Sequence, residues 1–252
     1  MKVYRYVKRG VRRLTAPARS LPALLCIGAM RSGTSSLAYA LARHPEVAMP
    51  TRKEVQFFDM NFERGVGWYR AFFPMNGRPS VDLSPTYMTN PETADRAGGV
   101  VPEAAVIALL RDPVERAWSL YRLRRRWGTE TRDFEQAIAR DLAGEIRDRH
   151  YSVHTEIPYL DSGRYGPQLR RWSEVFGERL FVFDAAEMFA DPEPCLDQVQ
   201  ALLGVTRTSL PFPRVNVAPS AESPTVLTKL YRFFDESDEE LVELTGRRFS
   251  WM

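Results

Sequence analysis

The segment that most constrains the fold is a short apolar run, residues 24–27, followed at once by the Gly- and Ser-rich residues 28–36. The run has the length of a buried strand, and Leu37 and Leu41 have the spacing of one helix face. The sequence therefore predicts a strand, a tight loop and a helix over residues 35–43. In such a unit, the loop amides and the amino end of the helix surround an anion.

Other short apolar segments alternate with segments of helical periodicity. The predicted strands are Val81–Leu83, Ala105–Leu110 and residues 180–183, and the predicted helices are Pro113–Trp127, 166–176, 194–203 and 225–234. Alternation of this kind predicts an α/β, P-loop-like fold with a mainly parallel central sheet flanked by helices on both faces. Ligands of such folds bind at the carboxyl ends of the strands.

The composition is that of one globular domain with a basic extension at its amino end. A chain of 252 residues, 44% of them hydrophobic, can bury one substantial core, and we predict a domain over residues 23–252. Residues 1–22 are predicted to be a basic arm, with Lys2, Arg5 and Arg9 among its cations. We interpret the arm as solvated, with peripheral contact to anionic lipid as the alternative.

Charge and cysteine content narrow the functional class. The formal net charge of +3 is small for a nucleic-acid-binding protein, so no nucleic-acid partner is predicted. Cys26 and Cys195 lie far apart in the sequence and indicate neither a disulfide framework nor a metal cluster. A reducing compartment fits best. We expect a cytoplasmic protein, with membrane contact through the basic arm as a variant of that expectation.

The loop differs from that of a nucleotide triphosphatase in the position of its cation. Two glycines have P-loop spacing in the stretch Gly28-Ala29-Met30-Arg31-Ser32-Gly33-Thr34-Ser35-Ser36. A triphosphatase needs Lys after the second glycine, where this chain has Thr34, and the positive charge comes earlier, from Arg31. We predict a site for one phosphate, formed by Arg31, Ser32, Gly33, Thr34, Ser35 and Ser36. The alternative is a turn that only joins strand to helix.

The helix Pro113–Trp127 has the best marked beginning. Asp112 can cap this helix, Pro113 suits its first position, and Glu115 completes a capping box. The preceding strand therefore ends at Arg111.

The end of this strand also places a second cation at the carboxyl edge of the sheet. Arg111 lies at the carboxyl end of a strand and Ser119 near the second turn of the next helix, so both can hold a second phosphate. The alternatives are an ion pair of Arg111 with Asp112 or Glu115, and a helix-facing hydroxyl for Ser119. Because magnesium-dependent phosphoryl transfer needs an acid after a core strand, and Asp82 receives a structural interpretation, no metal is predicted.

Five segments then follow one another in an informative order. They are Gly28-Ala29-Met30-Arg31-Ser32-Gly33-Thr34, Lys53-Glu54-Val55-Gln56-Phe57-Phe58-Asp59, Gly67-Trp68-Tyr69, Ser84-Pro85-Thr86-Tyr87 and residues 111–119. In this combination the chain resembles the sulfotransferases that use 3′-phosphoadenosine 5′-phosphosulfate (PAPS), and among them the glycosaminoglycan, heparan sulfate type and its bacterial relatives. The resemblance covers residues 24–251.

The resemblance implies a reaction and roles for particular residues. PAPS donates a sulfuryl group by in-line displacement to a hydroxyl or amine of a glycan, a glycolipid or another small molecule, without a metal. Glu54 is implied as the base, and Arg31 stabilises the leaving phosphate. Lys53 is a secondary catalytic candidate, and Tyr165 contacts adenine or the acceptor. The alternatives are a surface Lys53–Glu54 ion pair and a packing role for Tyr165.

Two departures from the family and two competing functions accompany this interpretation. Leu83 stands where the glycosaminoglycan enzymes have a lysine, and residues 215–220 replace a basic loop that helps to bind the cofactor. The competing functions are a P-loop small-molecule kinase and a catalytically inactive nucleotide-binding scaffold. A basic run can line the acceptor cleft or form a solvated helix end; it consists of Arg122, Arg124, Arg125 and Arg126.

Overall fold

The computed structural model describes residues 14–145, 158–215 and 227–252. Most of the predicted basic arm, residues 1–13, lies outside these ranges, as do residues 216–226, which include most of the segment expected to replace the basic loop. The strands in these ranges are β1 (Leu24–Gly28), β2 (Val81–Leu83), β3 (Ala105–Leu110) and β4 (Leu180–Asp184). They form an all-parallel sheet with the order β2-β1-β3-β4.

Helices fill most of the remaining described chain. They are α1 (Thr34–Leu41), α2 (Phe57–Met60), α3 (Val66–Arg70), α4 (Thr93–Val100), α5 (Pro113–Trp127), α6 (Phe134–Leu142), α7 (Tyr165–Phe176), α8 (Ala185–Ala190), α9 (Glu193–Leu202), α10 (Leu227–Leu230) and α11 (Asp235–Thr245). Short 3-10 turns join several of them, at Ala16–Ala18, Phe62–Arg64, Asp161–Gly163, Gly177–Arg179 and Tyr231–Phe233. No described helix is long and apolar enough to cross a membrane.

The sheet lies between two apolar cores because successive side chains of a strand point to opposite faces. In β3, Val106 and Ala108 belong to the core covered by α4, α7 and α11, while Ile107 and Leu109 belong to the core covered by α1, α8 and α9. Every residue of β1 and β3 is buried. The predicted α/β, P-loop-like fold with a parallel sheet and helices on both faces is therefore confirmed.

A third apolar cluster lies beside the sheet, between α5 and α6. Val114, Leu120 and Phe134 pack in this cluster with Tyr159 and Phe234. Because α5 begins directly after β3, this packing holds Ser119 near the carboxyl ends of the strands.

Most predicted strands and helices lie within two residues of their predicted bounds, but in its described part the helix predicted over residues 225–234 is only the short α10 followed by a 3-10 turn. Helix α5 has the predicted bounds, and the Asp112 carboxylate accepts hydrogen bonds from the Val114 and Glu115 amides at its start. The predicted capping box is wrong, because the Glu115 carboxylate accepts from the Arg111 guanidinium at 2.7 Å instead. Helices α1, α7 and α9 each begin one residue before the predicted position.

Part of the predicted arm packs onto the domain. Arg19 is only 8% exposed, and its guanidinium donates to the Phe73 carbonyl at 2.6 Å. Ala16 is buried as well. Arg19 and Ala16 thus contact the domain that is predicted for residues 23–252, and the boundary at residue 22 stays a prediction.

Candidate active site

The anion-binding loop joins β1 to α1. The amide of Ala29 donates to the Leu109 carbonyl of β3 at 2.7 Å, which ties the loop to the neighbouring strand. Gly33 has φ +101°, and a Cβ at this position would lie 2.7 Å from Met188 Cε, so only glycine fits without strain. Because amides at the amino end of a helix point outward along its axis, the loop and the start of α1 can bind an anion.

The loop hydroxyls differ in what they contact. Ser36 is fully buried, and its hydroxyl accepts from the Val215 amide at 3.1 Å, so it is engaged within the fold. Ser32 is also fully buried, and its Oγ has no hydrogen-bond partner among the described residues. Thr34 is buried and Ser35 half-buried. We therefore expect the backbone of the loop to contribute more to anion binding than the Ser36 hydroxyl.

Arg31 connects the loop to the second predicted anion site. Its backbone is left-handed, with φ 74°, and its Nε donates to the Ser119 hydroxyl at 3.1 Å. Burial, and after it the nearby cations Arg111, Arg126 and Arg122, lower the pKa of Arg31 to about 10. Like charges gathered around a buried guanidinium are costly, and an anion bound among them removes that cost. In this structure the Arg31 side chain therefore points toward Ser119.

The two residues of the second predicted anion site, Arg111 and Ser119, both lie near Arg31. Arg111 forms an ion pair with Glu115 at 2.7 Å, and both side chains are substantially exposed. The ion-pair alternative for Arg111 is therefore present in this structure. An anion bound at Arg111 must compete with the Glu115 carboxylate.

Tyr165 does not reach this site directly. Its side chain is fully buried, and its hydroxyl donates to the Arg111 carbonyl at 2.8 Å. Its ring lies edge-on to Trp251. The packing alternative for Tyr165 is therefore present in this structure, and a contact of Tyr165 with adenine or acceptor stays a prediction.

Glu54 and Lys53 lie at the other end of the loop. Lys53 Nζ donates to the Ser35 hydroxyl at 2.7 Å and lies 3.9 Å from Glu54 Oε1. The Glu54 side chain is 28% exposed, and burial raises the pKa of its carboxyl; the Lys53 and Arg52 charges oppose this shift, and the Asp82 charge adds to it. Lys53 is thus more than a member of a surface pair, because it joins Glu54 to the first turn of α1.

Residues 55–59, which follow Glu54 and are called the strip below, are all buried. The Asp59 carboxylate accepts from the Thr86 hydroxyl, and burial raises the pKa of Asp59 to about 6. Glu54 and Gln56 have left-handed backbones, with φ 60° and 52°. Such conformations cost about 1–3 kcal/mol each for residues other than glycine, so the surrounding contacts must hold this backbone in place.

Sequence reasoning missed the importance of Asp82, which it treated as an ordinary structural acid. The side chain is fully buried in β2, and its carboxylate accepts from three hydroxyls. The donors are Ser84 Oγ at 2.7 Å, Tyr69 OH at 2.8 Å and Tyr87 OH at 2.8 Å. The sequence pattern that could have indicated this cluster is an acid inside an apolar strand, with a serine two residues later and a tyrosine five residues later.

The basic run on α5 divides into cations with different surroundings. Arg124 is buried and lies over the Tyr159 ring, so it belongs to the helical packing. Arg122 and Arg126 contribute positive potential at Arg31, and Arg122 also lies over the Trp118 ring. The solvated-helix-end alternative therefore fails for Arg124.

Two further findings complete the site. Leu83, at the place of the family lysine, is buried in the apolar core. Among the described residues, no group of three or more His, Cys, Asp or Glu side chains could hold a metal ion.

The fold and the loop together define a P-loop-like α/β domain with cationic side chains at the carboxyl end of its sheet. No family model matches the chain. It is 31% identical over 199 residues to the human bifunctional heparan sulfate N-deacetylase/N-sulfotransferase 3, a match that covers 73% of this chain and 22% of the relative. The chain thus spans about a fifth of the length of that relative.

Two other relatives match nearly the whole chain. The mouse heparan sulfate glucosamine 3-O-sulfotransferase 3B1 is 26% identical over 266 residues, covering 94% of this chain and 66% of the relative. The crystal structure of a sulfotransferase from Alicyclobacillus acidocaldarius superposes with a TM-score of 0.76 at 28% identity, covering 92% of this chain and 98% of that structure. By sequence and by fold, this chain belongs to the sulfotransferase family.

Proposed function

We propose that this chain transfers a sulfuryl group from PAPS to a hydroxyl or amine of a glycan, a glycolipid or another small-molecule acceptor. The observation that carries the proposal is the position of the loop between two functional groups. Through Ser35 the loop contacts Lys53, next to Glu54, and through Arg31 it contacts Ser119. A base at one end and a cationic cluster at the other suit a donor that has phosphates on both sides of a nucleoside.

The residues of the chain fit this donor. The amides of the loop and the first turn of α1 suit the 5′-phosphate, and the cations around Ser119 suit the 3′-phosphate. Bound PAPS supplies an activated sulfuryl group, and its transfer releases adenosine 3′,5′-bisphosphate.

Glu54 acts as the general base in this proposal. Its carboxylate takes the proton of the acceptor while the acceptor oxygen or nitrogen bonds to sulfur and the bond from sulfur to the 5′-phosphate oxygen breaks. Burial raises the pKa of Glu54, which strengthens it as a base. Lys53 stabilises the charge that builds on the departing phosphate, and the Arg31 side chain, which contacts Ser119 in this structure, turns toward that phosphate to do the same when the donor is bound.

Lys53 lies 3.9 Å from the carboxylate of the proposed base, whereas Leu83, where the resembled enzymes have a lysine, is buried in the apolar core. The names of the human and mouse relatives specify heparan sulfate. Those names support an anionic glycan as one acceptor class, and the positive potential of Arg122 and Arg126 suits it.

Ligand-dependent thermal stabilisation tests the donor. Adenosine 3′,5′-bisphosphate at 100 times its Kd should stabilise the protein by about 2.7 kcal/mol, and ATP with magnesium should stabilise it less. A stronger response to ATP with magnesium would contradict the proposal and favour the kinase alternative. Sulfuryl transfer from labelled PAPS, screened across glycans, glycolipids and phenols, then identifies the acceptor class.

A further inference from the structure

The backbone that carries Glu54 is held in an unusual conformation. Glu54 and Gln56 are both left-handed, and only Val55 separates them. Residues other than glycine keep this conformation only where their surroundings determine it. The hydrogen bonds of the following amides show which surroundings do so.

The amides of Gln56 and Phe57 both donate to one buried polar cluster. The Gln56 amide donates to the Ser84 hydroxyl at 3.1 Å and the Phe57 amide to the Tyr87 hydroxyl at 2.8 Å, while the Val55 amide favours the charged form of the Asp82 carboxylate. Asp82 is the centre of this cluster. The hydroxyls of Ser84 and Tyr87 each donate to its carboxylate, so their oxygen lone pairs are turned toward the amides.

We propose that Asp82 is a positioning residue for the acceptor base. Asp82, through Ser84 and Tyr87, fixes the backbone that carries Glu54. The Glu54 carboxylate therefore stays beside Lys53 and the anion-binding loop. This inference rests on the proposed function, because it concerns the placement of the residue proposed as base. A displacement of a reacting group by about 1 Å can lower a rate by about 100-fold.

Asp82 also acts on Glu54 through its charge. The Asp82 carboxylate raises the pKa of Glu54, while Lys53 and Arg52 oppose this effect. The other titratable groups that interact with Asp82 are Tyr69, Tyr87, Asp59 and Cys26. Removing the Asp82 charge should lower the pKa of Glu54, so the base would stay deprotonated to a lower pH. Asp82→Asn should therefore move the acidic limb of kcat to lower pH.

Two tyrosines provide a matched test. Tyr69 and Tyr87 are both fully buried, and each donates its hydroxyl to Asp82 Oδ2 at 2.8 Å. The Tyr87 hydroxyl, in addition, accepts from the Phe57 amide of the strip. Tyr69→Phe and Tyr87→Phe thus remove the same group from the same carboxylate oxygen, but only one of them releases the strip.

With PAPS and an acceptor found in the transfer screen, Tyr87→Phe should lower kcat by roughly 10- to 100-fold, with KM changed less than about threefold. Tyr69→Phe should keep kcat within about threefold of the unmodified chain, even if its thermal midpoint falls by as much as that of Tyr87→Phe. Ser84→Ala, which releases the Gln56 amide, should resemble Tyr87→Phe. These three variants decide the question if Asp82→Asn does not fold.

The positioning role would be overturned if kcat fell equally in the two tyrosine variants, in proportion to their losses of stability. A folded Asp82→Asn that keeps kcat within about threefold of the unmodified chain would overturn it as well. Failure of the proposed function has a different signature: the unmodified chain would then transfer no sulfuryl group from PAPS to any acceptor in the screen. A Glu54→Gln variant that retains turnover would remove only the base, whatever the tyrosine variants do.

Discussion

Replacing Glu54 by Gln removes the proposed base while keeping the size of the side chain. A general base contributes roughly 10²- to 10⁴-fold to the rate. Because 28% of the Glu54 side chain stays exposed, water can reach the acceptor and replace part of the lost base. We therefore expect the lower half of that range, about 10²- to 10³-fold in kcat, or about 2.7–4 kcal/mol in the barrier.

The change should leave donor binding intact. Glu54 carries a negative charge next to an anionic ligand, so neutral Gln should bind adenosine 3′,5′-bisphosphate at least as well. Single-turnover transfer from labelled PAPS measures the chemical step, and the thermal shift with the bisphosphate measures binding. Glu63→Gln, the same change at an exposed glutamate nearby, is the control and should keep the rate of the unmodified chain.

The pH dependence gives an independent measurement. Burial raises the pKa of Glu54 above its usual value, and the base works only when deprotonated. The rate of the unmodified chain should therefore fall as the pH is lowered through that raised pKa, and the residual rate of Glu54→Gln should lack this limb. A Glu54→Gln variant with less than a tenfold loss of turnover, or with bisphosphate binding lost as fully as turnover, would refute the role of base.

An ion pair, a loop glycine and a buried carboxyl each give a further test. Glu115→Gln frees Arg111 from an exposed ion pair worth about 0.3–0.5 kcal/mol, so calorimetry should show bisphosphate binding about twofold tighter, and weaker binding would contradict the competition. Gly33→Ala should destabilise the protein by about 1–3 kcal/mol in urea, because φ is +101°, whereas the helical control Gly99→Ala, with open space around it, should be neutral or stabilising. Burial raises the pKa of Asp238 to about 6. Folding therefore favours the protonated carboxyl, and this contribution to stability is lost as the pH rises through 6. Asp238→Asn, which stays neutral, should raise the thermal midpoint at pH 7.5 and leave it unchanged at pH 4.

Local patterns in the sequence were sufficient for most elements of the fold. Helix α5 was predicted with its bounds because a cap, a proline and an apolar periodicity all lie within one segment. The capping box failed since the Glu115 carboxylate had two partners available, and the chain pattern contains no information on which one is closer. The same limit applies to Tyr165, whose aromatic character suits packing and ligand contact equally well.

The sequence by itself determined the strand, loop and helix around residues 28–36, the parallel α/β architecture and the family. These depend on residue spacing and on the order of short segments along the chain. Only the tertiary structure decided that Arg31 reaches Ser119, that Lys53 reaches Ser35 and that Asp82 holds the amides after Glu54. The physical reason is that these contacts join residues far apart in the chain, and their strength depends on distance and burial, which exist only once the sheet and its helices are packed.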